Sequence, residues 1–139
     1  MIYFAAVGDV HGAMHLLVEQ IEMLQNTSSI RLEFVLQVGD FQPVRDENDL
    51  TTMNIPAKYR KTGDFPCFAD KGFPWPIWFI GGNHEPYGYL DHYPQGGELA
   101  PNCHYLGRSG HMELCGLKLA WISGIYSSAR FNHRRPPVN

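Results

Sequence analysis

Three times in this chain an apolar run ends abruptly in glycine followed by a side chain that can bind a metal. Ile2-Tyr3-Phe4-Ala5-Ala6-Val7 leads into Gly8-Asp9-Val10-His11-Gly12. Phe34-Val35-Leu36-Gln37-Val38 leads into Gly39-Asp40-Phe41, and Ile77-Trp78-Phe79-Ile80 into Gly82-Asn83-His84-Glu85. Short, almost wholly apolar runs are the mark of parallel strands covered on both faces. In open α/β sheets the ligands of a site gather beyond the carboxyl ends of such strands. Asp9, His11, Asp40, Asn83 and His84, far apart in the chain, are therefore expected to converge on one point.

The segments between support this layout. Met14, Leu17, Val18, Ile21 and Leu24 recur at helical spacing, with Glu19, Gln20 and Glu22 facing outward, and Asn26-Thr27-Ser28-Ser29 closes the helix. A strand over about 31–38 completes a βαβ unit. Residues 41–75 are irregular and read as an insertion, with a short helix from Asp46 to Met53 capped by Asp46. Residues 86–101 read as ordered loop with one short helix. From about 103 the period becomes two, and Met112 to Leu114 and Leu117 to Ile122 flank a turn at Cys115-Gly116, with Leu117, Leu119 and Trp121 on one face.

The length of 139 residues fits one domain, 1–139. A net charge of −3 gives no global attraction to nucleic acid or anionic membrane. Cys67, Cys103 and Cys115 lack Cys-x-x-Cys spacing and cannot all pair, which suggests buried thiols in a reducing compartment, and a cytoplasmic location is expected. No apolar run approaches the roughly 18 residues that span a bilayer.

Carboxylates, imidazoles and an amide at three strand ends suit phosphoester hydrolysis. Two metal ions about 3.5–4 Å apart can activate water and clamp the attacking and leaving oxygens. Asp9 and His11 would reach one ion and Asn83 the other, with Asp40 bridging and His84 donating a proton to the leaving oxygen. Each motif alone carries little weight; the three together, each after a strand, carry the reading. His15, His92, His104, His111 and His133 read as ordinary surface or core histidines. In the tail, Arg130, Arg134 and Arg135, interleaved with Phe131, suit contacts to phosphate and stacked bases and are taken as substrate-binding candidates.

The three motifs resemble those of the calcineurin-like metallophosphoesterase superfamily. The run Gly39-Asp40-Phe41-Gln42, Val44-Arg45, Glu47, Asp49-Leu50, Pro56 and Lys58-Tyr59-Arg60 is similar, more narrowly, to the amino-terminal half of RNA lariat debranching enzymes. So are Ala100-Pro101-Asn102, Tyr105-Leu106-Gly107 and Ser123-Gly124-Ile125. The resemblance implies an α/β fold, a layered αββα sandwich of mixed sheets. It also implies two divalent metal ions (Mn, Fe or Zn) held by Asp9, His11, Asp40 and Asn83, with His84 as the catalytic histidine. The implied reaction is hydrolysis of a phosphodiester, the 2′–5′ branch-point linkage of lariat RNA, by a hydroxide bridging the ions. Two departures accompany it. Asp9 stands where debranching enzymes commonly carry cysteine, which points to a broader phosphodiesterase. The superfamily's later histidines do not occur before Asn139, so a carboxyl-terminally truncated domain is expected. An inactive fragment retaining partial metal or phosphate binding, and a general phosphatase, stand as alternatives.

Overall fold

The computed structural model describes residues 1–128 and 132. Arg130, Arg134 and Arg135 lie outside the described residues. Strand β1 (Phe4–Val7) is followed by helix α1 (Met14–Ser28) and strand β2 (Phe34–Gln37). Helix α2 (Glu47–Thr51) and two short 3₁₀ turns, Ala57–Tyr59 and Phe65–Phe68, fill the long connection to β3 (Ile77–Phe79). Helix α3 (Tyr87–Leu90), strands β4 (Gly97–Ala100) and β5 (Cys103–Tyr105), and the hairpin β6 (Ser109–Leu114) and β7 (Leu117–Ile122) complete the order.

Five strands form one mixed sheet in the order β1-β2-β3-β5-β4, parallel except for β4. The register aligns Ala5, Val35, Ile77 and Cys103 on one face, and Val7, Gln37, Phe79 and Tyr105 two residues on. This face receives Met14, Leu17 and Ile21 of α1 together with Phe65, Phe68 and Phe73 from the connection. Each such side chain, fully buried, stabilises the fold by roughly 1.5–3 kcal/mol before cavity and entropy terms. Leu24, on the same helical spacing, is instead half-exposed.

The opposite face carries Leu36, Trp78 and His104, all half-buried. Trp78 stacks on His104 with centroids 4.2 Å apart. The hairpin stands against this end of the sheet, where its Met112 and Trp121 share a cavity of about 260 Å³ with Trp78 and His104. Trp121 Nε1 donates to the carbonyl of Leu106 at 3.0 Å. Helix, five-stranded sheet and hairpin thus form a mixed α/β fold of the layered type that the motifs imply, with the second helical layer not among the described residues.

Strand β1 departs from expectation. It stands at the sheet's edge, and its exposure alternates rather than vanishing, with Phe4 41% exposed. Its composition is that of a covered strand, but among the described residues nothing pairs with its outer edge. Strand β4 extends the sheet where a loop was expected, and β5, at the start of the period-two region, joins the sheet beside β3.

The turns follow from residue chemistry. Asp46 caps α2 by accepting from the amides of Asn48 and Asp49 at 2.8 and 3.1 Å. Cys115 and Gly116 both have positive φ, 50° and 80°, the requirement of a two-residue hairpin turn of type I′. Thr27 and Ser28 bond back to the carbonyls of Met23 and Leu24, so the helix persists through residues that read as its end.

Candidate metal centre

The first three strands in chain order lie side by side and parallel, so their carboxyl ends face the same way. Main-chain bonds then lock the loop after β1 to the loop after β2. Asp9 N donates to Gly39 O at 3.1 Å, His11 N to Asp40 O at 2.8 Å and Gly12 N to Phe41 O at 3.0 Å. Asp9, His11 and Asp40 all have φ between 50° and 55°, the left-handed region that few residues adopt without a reason. Gly39 and Gly82 pack so closely that a Cβ on Gly82 would overlap Asp40 Oδ1 and sit 2.6 Å from Asp40 N. Only glycine allows the second and third loops to approach this far.

Within this frame Asp40 is buried and His84 donates to it twice, from its backbone amide to Oδ1 at 2.9 Å and from Nδ1 to Oδ2 at 3.0 Å. His11 Nε2 lies 3.8 Å from Asp40 Oδ2 and 3.6 Å from Asp9 Oδ1. Ligand atoms of His11, Asp40 and His84 fall within 4.8 Å of one another. Asp9 sits beside them with its side chain 78% exposed, and Asn83 is half-buried between Gly82 and His84.

This donor set fits divalent ions of the Mn, Fe and Zn class, which accept imidazole and carboxylate together. Two ligands each about 2.1 Å from one ion lie no more than about 4.2 Å apart, and the separations at His11 Nε2 satisfy that limit.

Two side chains that the motifs alone do not explain hold the frame. Glu85 is fully buried; its Oε1 accepts from Phe41 N at 2.9 Å and Gly82 N at 3.1 Å, and its Oε2 from Gln42 N at 2.8 Å. Burial pushes its carboxyl up to about 7, against the pull of those three amides and with the help of nearby Asp40. Asp64 comes from the insertion. Ala13, at the start of α1, has no capping side chain, and Asp64 instead accepts from Met14 N at 2.6 Å and His15 N at 2.9 Å. Its own amide donates to Gly12 O at 3.0 Å, so the insertion straps down the loop carrying Asp9 and His11. Glu85 stood in the sequence as the last member of a motif. Asp64 gave no signal, because its partners lie fifty residues away.

Elsewhere, His15 packs edge-on against Phe68 and pairs with Asp64, and His104 stacks on Trp78; both are structural, and His92 and His111 are exposed. Of the thiols, Cys103 is buried while Cys67 and Cys115 are exposed, against the expectation of buried cysteines. No helix among the described residues is long and apolar enough to cross a membrane.

Carboxylates and imidazoles thus gather at the carboxyl ends of adjacent parallel strands in a group that could hold a metal ion. Residues 2–133 match the family model of calcineurin-like phosphoesterases, and the chain belongs to that family. It is similar to the lariat debranching enzyme of Gallus gallus, at 40% identity over 140 residues covering 97% of this chain and 26% of that protein. The lariat debranching enzymes of Danio rerio and Caenorhabditis briggsae are 38% and 37% identical, over 97% and 96% of this chain and 25% and 27% of theirs. The chain spans about a quarter of the length of these curated relatives.

Proposed function

We propose that this chain carries the metal centre of a metal-dependent phosphodiester hydrolase. Asp9, His11, Asp40 and Asn83 would hold two divalent ions, and His84 would serve the leaving oxygen. The convergence of His11, Asp40 and His84 is the observation that supports this most directly.

When bound, divalent ions of this class neutralise phosphate oxygens and make water acidic enough to act near neutral pH. The chain's own residues have separate tasks. Asp40 holds His84 through both carboxylate oxygens, which fixes the ring and leaves its Nε2 to carry the transferable proton. Asp9 and His11 offer their ligand atoms toward solvent, where a phosphate can reach them. Glu85 keeps the Asp40 and Asn83 loops in fixed relation.

For the substrate, the similarity to proteins named lariat debranching enzymes favours branched RNA, with the 2′–5′ linkage as the bond cut. Arg130, Arg134 and Arg135 are proposed to contact its phosphates.

The test is elemental analysis of the purified chain, followed by assays in Mn²⁺ on branched RNA, linear RNA, a chromogenic phosphodiester and a chromogenic monoester. Bound metal with cleavage of the branched RNA supports the full proposal. Cleavage of the monoester alone points to a general phosphatase, and a chain without metal or turnover refutes the proposed activity for this chain.

A further inference from the structure

Gln42 has no part in the metal reading, yet its position is tightly determined. It is buried, and its φ of 60° lies in the left-handed region. Its amide donates to Glu85 Oε2 at 2.8 Å, and its carbonyl accepts from Val44 N at 2.8 Å. The carbonyl of Phe41, just before it, accepts from Gly12 N at 3.0 Å. Unfavourable backbone conformations persist where the surroundings over-determine them, and they cluster at functional sites. Here the outcome is that Gln42 Nε2 lies 2.7 Å from His11 Nδ1.

A neutral imidazole has one N–H and one lone pair. With Gln42 Nε2 donating to Nδ1, the ring proton sits on Nε2. That nitrogen faces Asp9 Oδ1 at 3.6 Å and Asp40 Oδ2 at 3.8 Å, an arrangement in which an N–H points toward two carboxylates. Metal ligation requires the opposite: Nε2 supplies its lone pair, and Nδ1 carries the proton and donates it to a neighbour. A primary amide serves both cases. Turned over about its last bond, it occupies the same volume and presents Oε1 in place of Nε2.

We infer that Gln42 is a positioning residue that accommodates both tautomers of His11. Its amide nitrogen donates to Nδ1 in the metal-free chain, and its carbonyl oxygen accepts Nδ1–H when Nε2 binds a divalent ion. Between the two arrangements the single N–H of the imidazole moves from Nε2 to Nδ1 by exchange with solvent. The inference rests on the proposed metal site at His11.

Two substitutions separate the possibilities. Gln42→Glu accepts without donating; Gln42→Met has a similar length and makes neither bond. Two-bond ¹⁵N–¹H spectra of the whole chain report the His11 tautomer, and calorimetry with Zn²⁺ reports affinity. The wild type is expected to show Nε2–H without metal and Nδ1–H with saturating zinc. Gln42→Glu should show Nδ1–H already without metal and bind zinc at least as tightly as wild type. Gln42→Met should bind zinc about 10- to 100-fold more weakly, the usual loss when a ligand's supporting partner is removed.

Zinc affinity of Gln42→Met within about twofold of wild type overturns the inference, as does a Gln42→Glu chain that keeps Nε2–H. The second readout decides the matter even where Gln42→Met does not fold. If no chain binds zinc, the metal reading fails and takes the metal-bound half of the inference with it. The tautomer contrast between wild type and Gln42→Glu still upholds or overturns the metal-free half.

Discussion

Asp40 and His84, from loops forty-four residues apart, meet through two hydrogen bonds, one to each carboxylate oxygen, at 2.9 and 3.0 Å. One of the two donors is a backbone amide, so the pairing fixes the path of the third loop as well as the ring it carries. A single buried carboxylate therefore orients the proposed proton donor and is itself a proposed metal ligand.

Replacing Asp40 by Asn tests both tasks. The amide is nearly isosteric, yet it loses the charge and one acceptor. Metal content should fall and phosphodiester turnover should drop by at least ~100-fold, while circular dichroism stays close to wild type. Turnover equal to wild type would remove Asp40 from the mechanism.

Glu85 makes stability depend on pH in a defined direction. Its carboxyl titrates near 7 in the folded chain against an ordinary 4.5, so between these values the folded state holds a proton that the unfolded state has lost. The contribution of Glu85 to stability is then fully present below about 4.5 and is lost as pH rises through about 7, by on the order of 3 kcal/mol. Urea denaturation of the chelator-treated chain across this range measures the slope, and Glu85→Gln should flatten it. A slope that survives Glu85→Gln would assign it to another group.

Asp64 caps α1 from outside the helix. Asp64→Ala should lower stability by about 1–2 kcal/mol, the usual loss for a capping side chain. Asp64→Asn keeps an acceptor and should recover part of it. Denaturation midpoints of the two variants side by side decide this.

At Gly82 the smallest possible addition is expected to be disruptive. A methyl group there meets Asp40 backbone and carboxylate together, and neither can retreat without breaking the bonds to His84 or the first loop. Gly82→Ala should cost about 1–3 kcal/mol and weaken metal binding, whereas Gly116→Ala, with open space around its Cβ, should leave metal binding unchanged. Equal metal affinity in the two variants would contradict the close approach of the loops.

The parts legible in the sequence were those with a local signature. Helix α1 announced itself by its period, the hairpin by Cys115-Gly116, and the site by glycine and ligand residues after apolar runs. Strand β5 stood at the start of the period-two region, yet its place in the sheet was not legible, because its pairing with β3 is non-local. The edge position of β1 was equally hidden, since composition does not say which neighbour a strand has. Asp64 and Gln42 act on residues thirty or more positions away, and only the folded chain brings them there.

The main-chain bonds from Asp9, His11 and Gly12 to the second loop have one more consequence. Peptide groups make them, and peptide groups are the same whatever side chains they bear. The first loop's hold on the second therefore does not run through the exposed side chain of Asp9. On the proposed reading of Asp9 as a metal ligand, exchanging that one side chain for another that tolerates its left-handed backbone would retune which ion this corner prefers, without rebuilding the wall behind it.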